Sequence, residues 1–200
     1  MSRIVVFMNL TLDGVMQAPG RSDEDLRDGF EHGGWAAPYG AMSSREAGEG
    51  VPNIGALLLG RRTYESLYDY WPKQTGNPMT EMLNNLQKYV ASRTLREPLP
   101  WINSTLLKGD VPEAVARLKV QQDKNVDVVI MGSGELIQTL MKHNLIDRYV
   151  LLIHPLVLGS GRKLFSEASE FAALQLISAK ATPTGVVVAT YEPGEPAAKP

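Results

Sequence analysis

The run Val126-Asp-Val-Val-Ile-Met131, followed at once by Gly132-Ser133-Gly134-Glu135 and Leu136-Ile-Gln-Thr-Leu-Met141, constrains the fold more than any other part of the chain. An apolar stretch of strand length enters a glycine pair and leaves it as an amphipathic helix, a junction that belongs to α/β proteins. Such a turn aims backbone N–H groups and the positive end of a helix dipole at an anion, phosphate above all. A third glycine completing a G-x-G-x-x-G dinucleotide fingerprint would fall at position 137, which is Ile137. A tight turn with no ligand therefore stays open as the alternative, and other segments must decide.

Strand-like and helix-like segments alternate along the chain. Strands are predicted over 3–10, 56–59, 88–91, 101–105, 126–131 and 148–153, and helices over 63–70, 80–86, 111–121 and 135–143. Asp110 is the N-cap of the third of these helices, with Pro112 in its first turn and Glu113 completing an Asp-x-x-Glu capping pattern. The last unit reads as a hairpin, 174–180 and 185–191, turning at Thr182-Pro-Thr-Gly185. Between Thr11 and Pro52 lies a Gly/Pro-rich, acidic excursion with a helix predicted over 43–49, a connection long enough to be either a lid or disordered. One domain is expected over 1–193, with 194–200 a disordered tail.

Composition narrows the function classes. With 44% hydrophobic and 21% charged residues in 200, the chain can bury one sizeable core. A net charge of −2 without a long basic run argues against nucleic acid as a partner. The absence of cysteine excludes thiolate catalysis and Cys-based metal sites and suits a reducing cytoplasm. His32, His143 and His154 are too scattered for a metal motif and read as structural or surface residues, so no metal site is expected. No window approaches the roughly 18 to 20 apolar residues of a membrane span, and a soluble protein is expected.

Two further junctions resemble the first. Ala56-Leu-Leu-Leu-Gly60 runs into Arg61-Arg62-Thr63-Tyr64-Glu65, placing two guanidiniums and a hydroxyl at the positive end of a helix. The bland alternative is that Thr63 N-caps, Arg61 pairs with Glu65 and Arg62 is solvated. Tyr89-Val-Ala is followed by Ser92-Arg93-Thr94, a group suited to the 2′-phosphate that separates NADP from NAD. Ligands of α/β sheets sit at the carboxyl ends of strands, so three anion-suited ends point to one polyphosphate ligand.

In this order the motifs resemble the dihydrofolate reductase-like superfamily, and within it proteins similar to the C-terminal reductase domain of the bacterial riboflavin-biosynthesis deaminase-reductase. The resemblance rests on Asn9-Leu-Thr-Leu-Asp13-Gly14, Leu59-Gly60-Arg61-Arg62-Thr63-Tyr64-Glu65, Ala91-Ser92-Arg93-Thr94, Met131-Gly132-Ser133-Gly134-Glu135-Leu136 and His154-Pro155-Leu-Val-Leu-Gly159-Ser-Gly161-Arg-Lys-Leu-Phe165. It implies a three-layer α/β fold: a mixed, mostly parallel central sheet, helices on both faces and a C-terminal antiparallel hairpin. It also implies NADPH as cofactor. Gly60, Arg61, Arg62 and Thr63 would hold pyrophosphate and adenosine-side phosphates, Ser92, Arg93 and Thr94 would flank the adenine and 2′-phosphate, and Gly132, Ser133, Gly134, Glu135 and Leu136 would form the second pyrophosphate turn. Met8, Asn9 and Met16 would lie near nicotinamide and substrate.

Asn9 and Glu46 are the candidate catalytic residues on this resemblance, Glu46 standing in the region where dihydrofolate reductases carry an acid; a solvated carboxylate is its alternative. Dihydrofolate reductases hold a cis peptide in the paired-glycine turn, which implies one at Gly132-Ser133. Met8, Met16 and a lid bearing Trp35 and Tyr39 would keep the pocket dry, and Asp13 would organise the Asp-Gly turn. The expected function is an NADPH-dependent reductase of a small heteroaromatic substrate, pterin-like or ribosylaminopyrimidine-like. The alternative is a non-catalytic NADP(H)-binding protein without a proton donor. A homodimer is expected through the last hairpin, because riboflavin-type relatives pair.

Overall fold

A computed structural model describes residues 1–40, 51, 53–165 and 171–195. The chain divides into two compact units, one formed by Met1–Ile4 and Asn53–Leu145, the other by Val5–Pro52 and Ile146–Pro200. The helix predicted over 43–49, with Glu46, lies outside the described residues, as does most of the expected tail.

The first unit is built from parallel strands and helices. Its strands are β2 (Ile54–Gly60), β3 (Gln87–Ala91), β4 (Ser104–Leu107) and β5 (Asp127–Met131). They lie in the order β4-β3-β2-β5, with Gly60 beside Ala91 and Leu57 beside Val129. The central strands read as unbroken apolar runs because both faces are covered: Leu57, Leu58, Leu59, Val128 and Ile130 are fully buried. Four helices carry the chain between strands: α1 (Arg61–Tyr70), α2 (Pro78–Asn85), α3 (Val111–Gln121) and α4 (Gly134–Lys142). α3 and α4 each bury one stripe, Ala114, Val115 and Leu118 in α3 and Leu136, Ile137 and Leu140 in α4. Asp110 caps α3 as expected, its carboxylate accepting from the Glu113 N–H at 3.1 Å.

Most boundaries shift by one or two residues from expectation, and two of the shifts have a visible cause. β4 begins at Ser104, not Trp101, because Trp101 is buried in the preceding loop and Asn103 takes a left-handed φ of 57° that no strand accommodates. Helix α1 begins at Arg61 rather than Thr63, so Gly60 is its N-cap and Thr63 lies inside the first turn. Lys88, expected only as the start of a strand, is fully buried. Its ammonium donates to the carbonyls of Leu83 at 2.6 Å, Leu86 at 2.7 Å and Asn84 at 3.3 Å, and lies 4.6 Å from the Trp101 ring centroid. A cation there meets the negative end of the α2 dipole.

The second unit contains most of β1 (Arg3–Thr11) and all of β6 (Arg148–His154), β7 (Leu174–Ala181) and β8 (Val187–Pro193). β1 and β6 are parallel, with Asn9 beside Leu152 and Thr11 beside His154. β8 runs antiparallel to β6 and β7 antiparallel to β8, which is the expected hairpin. Its turn is tied by the Thr182 hydroxyl, which accepts from the Val186 N–H at 3.1 Å. Parallel strands joined by helices, ending in an antiparallel hairpin, make the chain a mixed α/β protein.

Candidate functional site

In the first unit, β3, β2 and β5 end side by side, which brings the tips after Ala91, Gly60 and Met131 together. Two of these tips lead directly into helices whose N-cap residues make no capping bond of their own. Gly60 has no side chain to cap with. Ser133 has one, but it sits at φ 65°, and its hydroxyl points across to the neighbouring turn. Ser133 Oγ accepts from the Gly60 N–H at 2.8 Å and donates to Thr63 Oγ1 at 2.8 Å. One hydroxyl thus ties both helix N-termini together. Gly132 is required by this closeness as well as by its φ of 66°: a Cβ there would stand 3.0 Å from Thr63 Cγ2.

The expected cis bond is not at Gly132-Ser133; among the described residues the cis peptide is Glu97-Pro98. The turn is made instead by two successive residues of positive φ, which reverse the chain through ordinary trans peptides.

Both signs of charge stand at these tips, Arg61, Arg62 and Arg93 with Glu65 and Glu135. Arg62 and Arg93 are exposed, whereas Arg61 pairs with Glu65 at 2.9 Å, as the bland alternative held. Thr63 does not cap α1; its oxygen is engaged by Ser133. Ser92 shapes its own loop, its oxygen accepting from the Thr94 N–H at 3.1 Å and the Leu95 N–H at 3.0 Å. The Leu136 side chain is buried in the core, so that residue offers a ligand only its backbone, while Gly134 and Glu135 begin α4. Two aligned helix N-termini flanked by guanidiniums can bind a polyphosphate.

The second unit holds the remaining expected residues at the carboxyl ends of β1 and β6. Met8 and Asn9 are neighbours on a strand, so their side chains leave opposite faces. Met8 is buried and Asn9 half-buried. Asn9 Oδ1 lies 2.9 Å from His154 Nε2. His154 is fully buried, and burial pushes its imidazole down to about 4, so it is neutral at pH 7. Trp35 and Tyr39 both meet its ring in T-shaped contacts at 5.1 Å. The sequence places Trp35 and Tyr39 in a lid over a pocket; in the structure both rings pack on His154, a contact the sequence does not announce. A histidine closing a buried strand, with Pro155 stopping it, was the available signal.

From the strand ends onward, hydrogen bonds form rungs between segment 9–17 and segment 154–164, the latter turning to run antiparallel where Val15 meets Lys163. Asn9 meets His154, Asp13 accepts from the N–H groups of Leu158 at 3.2 Å and Gly159 at 2.9 Å, and Gln17 Oε1 accepts from the Arg162 N–H at 2.9 Å. Backbone bonds lie between these rungs, from Leu12 to Leu156 at 2.8 Å and from Met16 to Arg162 at 2.8 Å. The Thr11 hydroxyl, 2.6 Å from Asp13, and the two amides hold the Asp13 carboxyl below its ordinary value. Asp13 therefore organises the turn, as expected, and additionally joins it to a distant loop. Gln17, buried and unremarked in the sequence, also donates to the Asp25 and Arg27 carbonyls and accepts from the Trp35 indole at 2.7 Å.

The model of one protein family, the RibD C-terminal domain, matches residues 2–188. The chain belongs to that family. The uncharacterized protein YyaP of Bacillus subtilis is 31% identical over 145 residues, 69% of this chain and 73% of its own. Among solved structures, a Shewanella sp. PV-4 protein named for riboflavin biosynthesis superposes with a TM-score of 0.66 at 21% identity, covering 96% of this chain and 99% of that one. A dihydrofolate reductase from Enterococcus faecalis, complexed with NADP(H) and RAB-propyl, superposes with a TM-score of 0.60 at 13% identity, covering 96% and 97%. At these identities the solved structures establish the fold, which is the dihydrofolate reductase-like one expected. Reductase-type chemistry is the class of function this RibD-type family supports. Among the described residues no helix is long and apolar enough to cross a membrane.

Proposed function

We propose that the chain is an NADPH-dependent reductase of a small heteroaromatic substrate, pterin-like or ribosylaminopyrimidine-like. The observation that carries this reading is the Ser133 hydroxyl joining the Gly60 and Gly132 turns, with Arg62 and Arg93 exposed beside them. The donor set fits the cofactor: helix N-termini and Arg62 suit a pyrophosphate, and Arg93 suits a 2′-phosphate. When bound, NADPH supplies the hydride. In the first unit these groups would hold its phosphates; in the second, Asn9 would orient a carbonyl-bearing ring and Trp35 and Tyr39 would exclude water. The test is titration of NADPH and NADH by fluorescence. Saturable binding of NADPH and a clear preference over NADH are expected, and Arg93→Ala should lower that preference about tenfold or more. A ratio unchanged by Arg93→Ala would overturn the 2′-phosphate assignment.

One observation favours the non-catalytic alternative. Among the described residues the ionisable group bonded to Asn9 is the buried, neutral His154, and the Asp13 carboxyl in the turn beyond β1 is held ionised; neither releases a proton at pH 7. Turnover of dihydrofolate or the ribosylaminopyrimidine would decide for catalysis, with Glu46→Gln separating a carboxyl donor from water. We further propose a homodimer through β7, an outer strand with Leu176 and Ile177 about half exposed. Sedimentation of the wild type against Ile177→Lys tests it, and a wild-type monomer refutes it.

A further inference from the structure

An asparagine side chain is two-faced. Its carboxamide can offer a ligand either an oxygen acceptor or two N–H donors, and free rotation of the amide makes the choice ambiguous. In this protein the ambiguity is removed from behind. Asn9 is half-buried on β1, with one amide atom turned to the fully buried ring of His154 at 2.9 Å. The ring itself is held by T-shaped contacts with Trp35 and Tyr39. Its other nitrogen, Nδ1, is buried without a hydrogen-bond partner among the described residues.

A neutral imidazole carries one N–H and one lone pair. A buried N–H left without an acceptor is rarer than an under-satisfied acceptor, so the proton belongs on the nitrogen that has a partner. Nε2–H then donates to Asn9 Oδ1, and Nδ1 keeps its lone pair among aromatic rings. Asn9 is left with its oxygen committed inward and its two N–H groups unpartnered among the described residues.

We propose that His154 is a positioning residue that makes Asn9 a donor-only contact, so that this site selects a ligand presenting an amide-type carbonyl oxygen and disfavours one presenting an amino or ring N–H group. A carbonyl of this kind occurs both on the carboxamide of a nicotinamide and on the lactam of a pterin- or pyrimidinone-type ring. The selection rests on the reductase reading of the site; the tautomer that produces it does not.

The test has two arms. Long-range 15N–1H NMR of the histidine-labelled, ligand-free chain should show His154 protonated on Nε2 and bare on Nδ1; a proton on Nδ1 overturns the proposal whatever the protein binds. In the second arm, NADPH is compared with its thionicotinamide analogue, and a pyrimidin-4-one with the corresponding 4-aminopyrimidine. Wild type should prefer the carbonyl member of at least one pair about tenfold or more, which identifies the source of the oxygen. Asn9→Asp, which replaces donor by acceptor at constant shape, should abolish that preference. His154→Leu should reduce it, and His154→Gln, whose amide can still donate to Asn9, should restore it. A preference unchanged in Asn9→Asp, or equal loss in the Leu and Gln variants, overturns the proposal. Failure of wild type to bind any of the four with the tautomer as expected removes the reductase reading and, with it, the ligand selection, leaving only the Asn9 orientation.

Discussion

Lowering the pH from 7 to 4 should destabilise the folded chain by about 3 kcal/mol through His154 alone. The imidazole has an ordinary value of 6.5, and burial lowers it to about 4. Its neighbours on β1 and in the lid are the Asn9 amide and the Trp35 and Tyr39 rings, none of them a carboxylate. Between pH 6.5 and 4 the unfolded chain therefore binds a proton that the folded chain refuses, and stability falls with falling pH across that window. Each unit of pH in the window is about 1.4 kcal/mol, which gives roughly 3 kcal/mol in total. The ring is fully buried, so no solvent screening discounts the figure. Urea denaturation at pH 7, 6, 5 and 4, on wild type and on His154→Gln, isolates the contribution. Asp13 and Asp25, lowered by hydrogen bonds from Thr11 and Arg27 respectively, act mainly below about pH 4 and equally in both proteins. Parallel stability curves for the two proteins between pH 6.5 and 4 would refute the reasoning.

Other perturbations have definite expected outcomes. Ser133→Ala strands the Gly60 N–H and the Thr63 hydroxyl, and should cost about 1–3 kcal/mol in urea denaturation while weakening NADPH binding. Gly161→Ala adds a Cβ 2.6 Å from the Phe30 ring and 2.8 Å from Val15 at a φ of 110°, so a loss of about 2–3 kcal/mol is expected by thermal unfolding. Lys88→Met leaves three carbonyls at the end of α2 without their donor and should cost about 1–3 kcal/mol, whereas Lys73→Met, in an exposed pair with Asp69, should change stability by less than about 0.5 kcal/mol.

Much of the architecture is legible in the sequence because hydrophobic period and capping chemistry are local signals. The β5-turn-α4 junction, the Asp110 cap and the final hairpin all appear where pattern and turn residues place them. What escapes is decided by tertiary partners. Trp101 looks like a strand residue, but its indole donates to the Asn84 side chain at 2.7 Å and its N–H to the Tyr64 hydroxyl at 3.0 Å, which keeps it in a loop. Nothing near Lys88 in sequence signals that helix-end carbonyls surround it. Within the candidate site, the glycines and arginines announce an anion, whereas the sideways role of the Ser133 hydroxyl depends on a residue 70 positions away. His154 is similarly illegible, since its partner Asn9 is 145 positions distant.

That distance has a consequence for how the protein comes into being. Each side-chain rung, Asn9 to His154, Asp13 to Leu158 and Gly159, and Gln17 to Arg162, joins positions 145 or 146 residues apart. During synthesis, Asn9 and Asp13 must wait for more than half of the chain to be made before their partners exist, a delay of roughly 7 to 30 s at about 5–20 residues per second. The first unit, whose strands and helices lie together in sequence apart from Met1–Ile4, can form earlier. Asn9 can be oriented as a donor only after β6 and the loop beyond it have left the ribosome, so nascent chains stopped before Ile146 should lack the carbonyl-selecting end of the site.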